Sequence, residues 1–314
     1  MSMQWDLHLI TAKEETTYGT DAAPTGAANA ILAQNVKLTP MAATEVTRQH
    51  ARPYQGARPA LLVGKHMKIT FEVEAKGSGT AGTAPGFAVL LRSCKLAEVI
   101  VADTSVTYNP VSTGHKSCSL YFYVDGILFK MIGCRGDWKY KLNADGIVLI
   151  EFSFTGLFTQ PSAQAIPAPS YGSQLTEMPQ EATTETVPTF SIGSFATPGL
   201  RSFTFSAGNQ VVYRNIIRRR QVLITGSDET IEYQIEAEAL ATFNPFALAD
   251  SGSPQAVSLV HGVGAGKVCT LSVARHQILN PGDLAQQDGV LEYQLRGKCL
   301  PSDAGNDQFT LAFT

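Results

Sequence analysis

Charge is scarce in this 314-residue chain. Only 16% of its residues are charged, and 24 basic against 27 acidic side chains leave a formal net of −3. That balance gives no sign of the tight, counterion-releasing grip on nucleic acid typical of a basic domain. Cysteine is sparse as well. Cys94, Cys118, Cys134, Cys269 and Cys299 are odd in number, widely spaced and form no CxxC pair, which argues against a disulfide framework or a zinc ribbon. No apolar run approaches membrane-spanning length, and the opening MSMQWDLHLITAKEE lacks a signal-peptide apolar core. The expectation is a chain made and folded in a cytosol, with no membrane contact. Six scattered histidines (His8, His50, His66, His115, His261, His276) show no HExxH or i, i+4 spacing, and no GxSxG elbow is present. No catalytic residue, cofactor site or metal ligand is nominated.

What the chain has is repetition. Leu61–Ala75 (LLVGKHMKITFEVEA) and Leu223–Ala237 (LITGSDETIEYQIEA) match without gaps at an offset of 162 positions. Leu61/Leu223, Gly64/Gly226, Ile69/Ile231, Glu74/Glu236 and Ala75/Ala237 are identical. A second block sets Lys116–Leu120 against Lys267–Leu271, and a third sets Glu151–Gly156 against Glu292–Gly297. Three blocks in the same order predict two copies of one β-rich unit, as duplicated units in a symmetric assembly require. The offset falls to 141 at the third block, so the second copy is expected to be 21 residues shorter between blocks.

Within the blocks, Ile69, Phe71 and Val73 alternate with Thr70, Glu72 and Glu74, and Ile231, Tyr233 and Ile235 alternate with Glu232, Gln234 and Glu236. Period-two alternation marks half-buried strands with a core side and a polar side. A hairpin is expected at Ser119–Val124 and Ile127–Ile132 around Asp125-Gly126, a closing strand at Ile147–Thr155, and short helices at Gly86–Leu91 and Phe246–Leu248. The domain reading is an extended arm and first strand at residues 1–40, copy one at 41–163, a proline-rich linker at 164–188 and copy two at 189–314. With 44% apolar residues, each copy has the material for its own core. The expected fold class is mainly β, two tandem sandwich or barrel-like domains each with a short flanking helix.

Gly77-Ser78-Gly79-Thr80-Ala81-Gly82 fits GxGxxG after a strand, with Asp103 downstream, as in a dinucleotide site. The preceding strand alternates, however, whereas a doubly wound strand is apolar on both faces. Thr83-Ala84-Pro85 separates the last glycine from the helix, and the second copy has no glycines there. A flexible surface loop is the better expectation. Arg218-Arg219-Arg220, the one basic run, is read as meeting acidic groups of a neighbouring subunit, against the alternatives of phosphate contact or a solvated strand edge.

Several segments together resemble the major tail tube proteins of long-tailed bacteriophages. They are Glu14–Thr25, Gly86–Cys94, Tyr108–Ser112, Ser119–Gly126, Gly133–Gly136 and Phe154–Gly156. The resemblance covers roughly residues 10 to 165 and reaches the later half through the duplication. It implies a non-enzymatic structural virion protein, a β-sandwich with a flanking helix whose long strands line a tube of stacked rings. A duplicated chain then needs three copies for a pseudo-sixfold ring. Twenty-four strands at about 4.8 Å spacing and about 40° tilt give a backbone diameter of roughly 48 Å and a bore near 40 Å. Thr70, Glu72, Glu74, Glu232, Gln234 and Glu236 become candidate lumen residues. Glu14, Glu15, Tyr18, Arg218, Arg219 and Arg220 become candidate intersubunit contacts. Implied partners are further copies of the chain, tape-measure, tail-terminator and distal-tail or baseplate proteins, and double-stranded DNA passing without tight binding. The implied location is the virion tail, after assembly in the host cytoplasm. A two-domain glycan-binding module on a virion or cell surface is the alternative; it calls for aromatic clusters on loops, whereas Phe71, Phe122, Phe152, Phe154, Tyr233 and Tyr293 alternate within strands.

Overall fold

The computed structural model describes residues 2–314. The first half contributes β1 (His8–Glu14), α1 (Gly26–Asn29), β2 (Ala30–Ile31), β3 (Gln34–Thr47), β4 (Ala60–Glu74), α2 (Ala88–Arg92), β5 (Leu96–Val101) and β6 (Ser105–Pro110). It continues with β7 (Cys118–Val124), β8 (Ile127–Asn143), β9 (Leu149–Phe158), β10 (Ser162–Ala163) and α3 (Ser173–Thr176). The second half holds β11 (Thr189–Ile192), β12 (Leu200–Ser206), β13 (Val211–Ile216), β14 (Arg219–Ile224), β15 (Thr230–Glu236) and α4 (Pro245–Ser251). It closes with β16 (Gln255–His261), β17 (Cys269–Ile278), β18 (Leu284–Gln287), β19 (Val290–Cys299) and β20 (Thr310–Phe313). The protein is mainly β, a sandwich whose sheets do not close into a barrel.

Antiparallel partners follow one another as β1, β7, β8, β9, β4, β3 in the first half. In the second half they follow as β11, β16, β17, β19, β15, β12. β18 resumes the course of β17 beyond Asn280-Pro281-Gly282 and pairs with the same β19. The turn chemistry explains the tight hairpins: Asp125 and Gly126 have φ of 36° and 88°, and Asp288 and Gly289 have 52° and 83°, the doubly positive geometry of a two-residue hairpin loop.

These partners revise the sequence reading in two places. Cys118 opens β7, but Cys269 opens β17, whose neighbours β16 and β19 give it the place of β8. The Lys116/Lys267 block therefore does not join equivalent strands. The shorter second half lacks a counterpart of the β5–β6 hairpin, since only residues 252–254 separate α4 from β16.

The halves share one sheet and one core. β8 pairs with β9 on one side and with β12 on the other, Tyr140 facing Ile150 and Phe205. One inner sheet thus runs β3, β4, β9, β8, β12, β15, β19, β17/β18. At the seam Trp138 packs against Phe205 and Phe309 at ring distances of 5.0 and 5.7 Å. One large apolar cluster extends from Ile10 to Phe313 across both halves, beside a small one of Leu9, Ala30, Tyr121, Tyr123 and Leu128, where composition had suggested two cores. β20 crosses back to pair with β6 of the first half.

The N-terminal segment is not an arm beyond Leu7. β1 lies between β2 and β7, and among the described residues Ser2–Leu7 stand ahead of it. Residues 164–188 are likewise pinned: the Gln174 amide donates to the Ala30 carbonyl and accepts from Leu32 N–H, and Glu177 pairs with Lys267 at 2.8 Å.

Candidate functional site

The inner sheet has an apolar face turned to the core and a polar face turned away. In β4, Met67, Ile69, Phe71 and Val73 are buried, while Lys68, Thr70, Glu72 and Glu74 point the other way. β15 repeats this with Ile231, Tyr233 and Ile235 buried against Glu232, Gln234 and Glu236. Because β8 and β12 splice the halves, all six candidates lie on the same continuous polar face.

Cross-strand pairs organise that face. Lys141 reaches Glu72 at 3.0 Å and Glu151 at 2.5 Å, and Asn35 donates to Glu72 at 2.6 Å. Burial works to raise the Glu72 carboxyl, but the bonds from Asn35 and Lys141 outweigh it and hold the group below its usual value. Within the second half Arg201 of β12 pairs with Glu292 of β19 at 2.5 Å, and Gln234 of β15 donates to the same carboxyl. Glu292 exposes no side-chain surface because these two groups lie over it; the site itself is shallow, and the bond from Arg201 lowers its carboxyl. Glu232 meets Arg296 at 3.3 Å, and Glu74 pairs with Lys76. Lys37, Lys68 and Lys139 occupy the same face, so the acidic rows of β4 and β15 are interleaved with cations from neighbouring strands.

The N-terminal candidates are engaged inside the chain. Glu14 bonds Arg92 at 2.7 Å and Lys116 at 3.0 Å. Glu15 is buried, its carboxyl accepting from Gly19 N–H, Gly133 N–H, Ser117 Oγ and Ser119 Oγ at 2.7–2.9 Å. Tyr18 lies under the Arg135 guanidinium, 4.8 Å from the ring centre, and its hydroxyl accepts from Val222 N–H. Burial raises the Tyr18 phenol above its usual value. Arg218, Arg219 and Arg220 cap the β13–β14 hairpin, exposed and, among the described residues, without an ion pair.

Two features escaped the sequence reading. The β3–β4 hairpin gathers Arg48, Arg52 and Arg58 at one exposed tip, with Arg52 5.7 Å from the Tyr54 ring. Their spacing in sequence hid this second basic cluster. The GxGxxG segment is not a free surface loop: Gly79 N–H donates to the Gly266 carbonyl at 3.0 Å. A Cβ at Gly77 would lie 2.1 Å from that oxygen, so small residues let two backbones touch between the halves. Among the described residues, no cluster of three His, Cys, Asp or Glu could hold a metal ion.

The inner sheet thus carries a polar face and two edges, at β3 and β18, that among the described residues pair on one side only. The family model described as phage tail tube protein matches residues 6–296. The chain belongs to the phage tail tube protein family. A search of curated proteins returned no match. As a family of structural proteins rather than enzymes, tail tube proteins self-assemble into the tube of the virion tail together with other tail proteins. The resemblance read from the first half thus extends over nearly the whole chain.

Proposed function

We propose that three copies of this chain close into a pseudo-sixfold ring, that rings stack into the tail tube, and that the genome passes along the polar face of the inner sheet. The observation that carries this reading is the continuous sheet itself. Each half contributes four strands in the same order, so the chain acts as two fused tube subunits, and three chains supply twenty-four strands. Closure removes the free edges that a long open sheet would otherwise expose.

The wall then consists of Thr70, Glu72, Glu74, Glu232, Gln234 and Glu236 with their basic partners. DNA is held by cations free to replace its counterions. Here Lys141, Arg201 and Arg296 are already committed to carboxyls. Lys37, Lys68 and Lys139, unpaired among the described residues, stand among an acidic row of the same face, a mixed wall that favours sliding over capture. Arg218, Arg219 and Arg220, and the β3–β4 tip, are the groups left to meet neighbouring chains, tape-measure, terminator or baseplate proteins.

Electron microscopy of the concentrated protein tests the reading. Tubes or threefold rings with a bore of about 40 Å are expected. A chain that stays monomeric at every concentration, or forms rings of six chains, defeats it.

A further inference from the structure

The contact between the halves is a template for the contact between chains. This rests on the ring proposed above. Two anchors fix which residues correspond. Leu38 opposes Ile69 in β4 as Phe205 opposes Ile231 in β15, and Ile69 and Ile231 are the same position of the repeat. Ile150 opposes Val73 as Tyr293 opposes Ile235; Tyr140 then flanks Ile150 as Leu284 flanks Tyr293. Leu38 therefore matches Phe205, and Leu284 matches Tyr140.

Inside the chain Phe205 faces Tyr140 and Thr204 faces Lys141. We infer that β3 of one chain adds to the free edge of β18 in the next, Leu38 opposite Leu284 and Lys37 opposite Ala285. Burial marks the vacancy: Tyr140 is 1% exposed beneath its partner strand, whereas its counterpart Leu284 is 61% exposed. A strand edge with an uncovered leucine is an invitation to pair.

The hairpins tell the same story. β13–β14, the outward extension of β12 and β15, lies over the first half, where Tyr213 stacks on His66 at 4.7 Å and the Val222 carbonyl accepts from Arg135. The outer part of β3–β4 has no such cover. Val46, Leu61, Leu62 and Val63 are 43–58% exposed, and on the neighbour's second half they gain the equivalent seat. The partner is a second copy of this chain, because the surface that completes the site is one this chain already carries.

Cysteine trapping in assembled tubes tests the register. The pair Lys37→Cys with Ala285→Cys is expected to yield covalent trimers under mild oxidation, closing as rings without higher bands. The pair Lys37→Cys with Gln286→Cys, aimed at opposite faces, is expected to give none. Leu284→Asp should keep the fold, read by an unchanged circular dichroism melt, while losing polymerisation. Tubes from the unaltered chain together with no cross-link and a polymerising Leu284→Asp variant overturn this register and leave the tail tube reading intact. Absence of tubes from the unaltered chain sinks the ring proposal and, with it, this interface.

Discussion

The Tyr18 hydroxyl accepts the Val222 amide hydrogen at 2.5 Å, joining the start of the chain to a strand 204 residues later. Val222 is wholly buried, so Tyr18→Phe leaves that N–H without a partner. A loss of about 1–2 kcal/mol is expected. Hydrogen exchange should quicken in β14 more than in β15, and uniform protection across both strands would contradict the assignment.

Glu15 is a positioning group for the first half. Its carboxyl collects four donors from three segments. Glu15→Ala strands two backbone amides and two hydroxyls, with an expected cost of roughly 3 kcal/mol or more. Glu15→Gln should recover part of it. Denaturant titration of the two variants checks the order.

His276 makes the fold sensitive to acid. Burial pulls its imidazole down to about 4, below the ordinary value near 6.5. A native state that keeps the ring neutral has its full stability above pH 6.5 and loses it as pH falls towards 4. The loss is roughly 3 kcal/mol. His276→Phe should flatten this window, with a residual slope from His261, which burial also lowers. Urea midpoints at pH 7 and pH 4.5 decide it.

Gly266 and Gly264 separate close approach from backbone strain. Both have positive φ, 75° and 100°, but a Cβ at Gly266 would lie 2.2 Å from the Thr80 nitrogen, while Gly264 has only the end of Lys267 at 4.0 Å. Gly264→Ala should cost about 1 kcal/mol. Gly266→Ala should cost clearly more, because the halves must part. Equal melting temperatures for the two variants would remove the contact as a joint.

Releasing Lys141 tests the wall. Glu72→Gln combined with Glu151→Gln frees its ammonium from both partners. Tubes of this double variant should retain duplex DNA at low salt and release it as salt rises, a dependence that follows from counterion release. DNA retention no greater than that of the unaltered tube would place this face elsewhere.

The alternation of Ile69, Phe71 and Val73, the Asp125-Gly126 turn and the helix at Pro245 were legible because each is set by local chemistry. Asn244 caps that helix on Ala247 N–H, and Gly252 ends it with φ of 61°. The seam was not legible. Nothing in β8 distinguishes a strand paired on one side from one paired on both, and Tyr140 and Leu142 read as ordinary core. Nor could a fifteen-residue match reveal that Ala60–Glu74 is one strand while Leu223–Ala237 is broken between β14 and β15. The third block is displaced too: Ile231 pairs with Gly297, whereas Ile69 pairs with Phe154. A two-residue slide keeps every side chain on its proper face, so alternation alone cannot detect it.

The β5–β6 hairpin occurs once per chain, and Val99, Ile100 and Val101 stand about half exposed along its outer strand. A channel of the proposed kind would look sixfold to whatever moves within, yet each ring would carry only three copies of this half-exposed apolar strand. Whatever rests on that strand in such a ring would recur three times around the axis, not six.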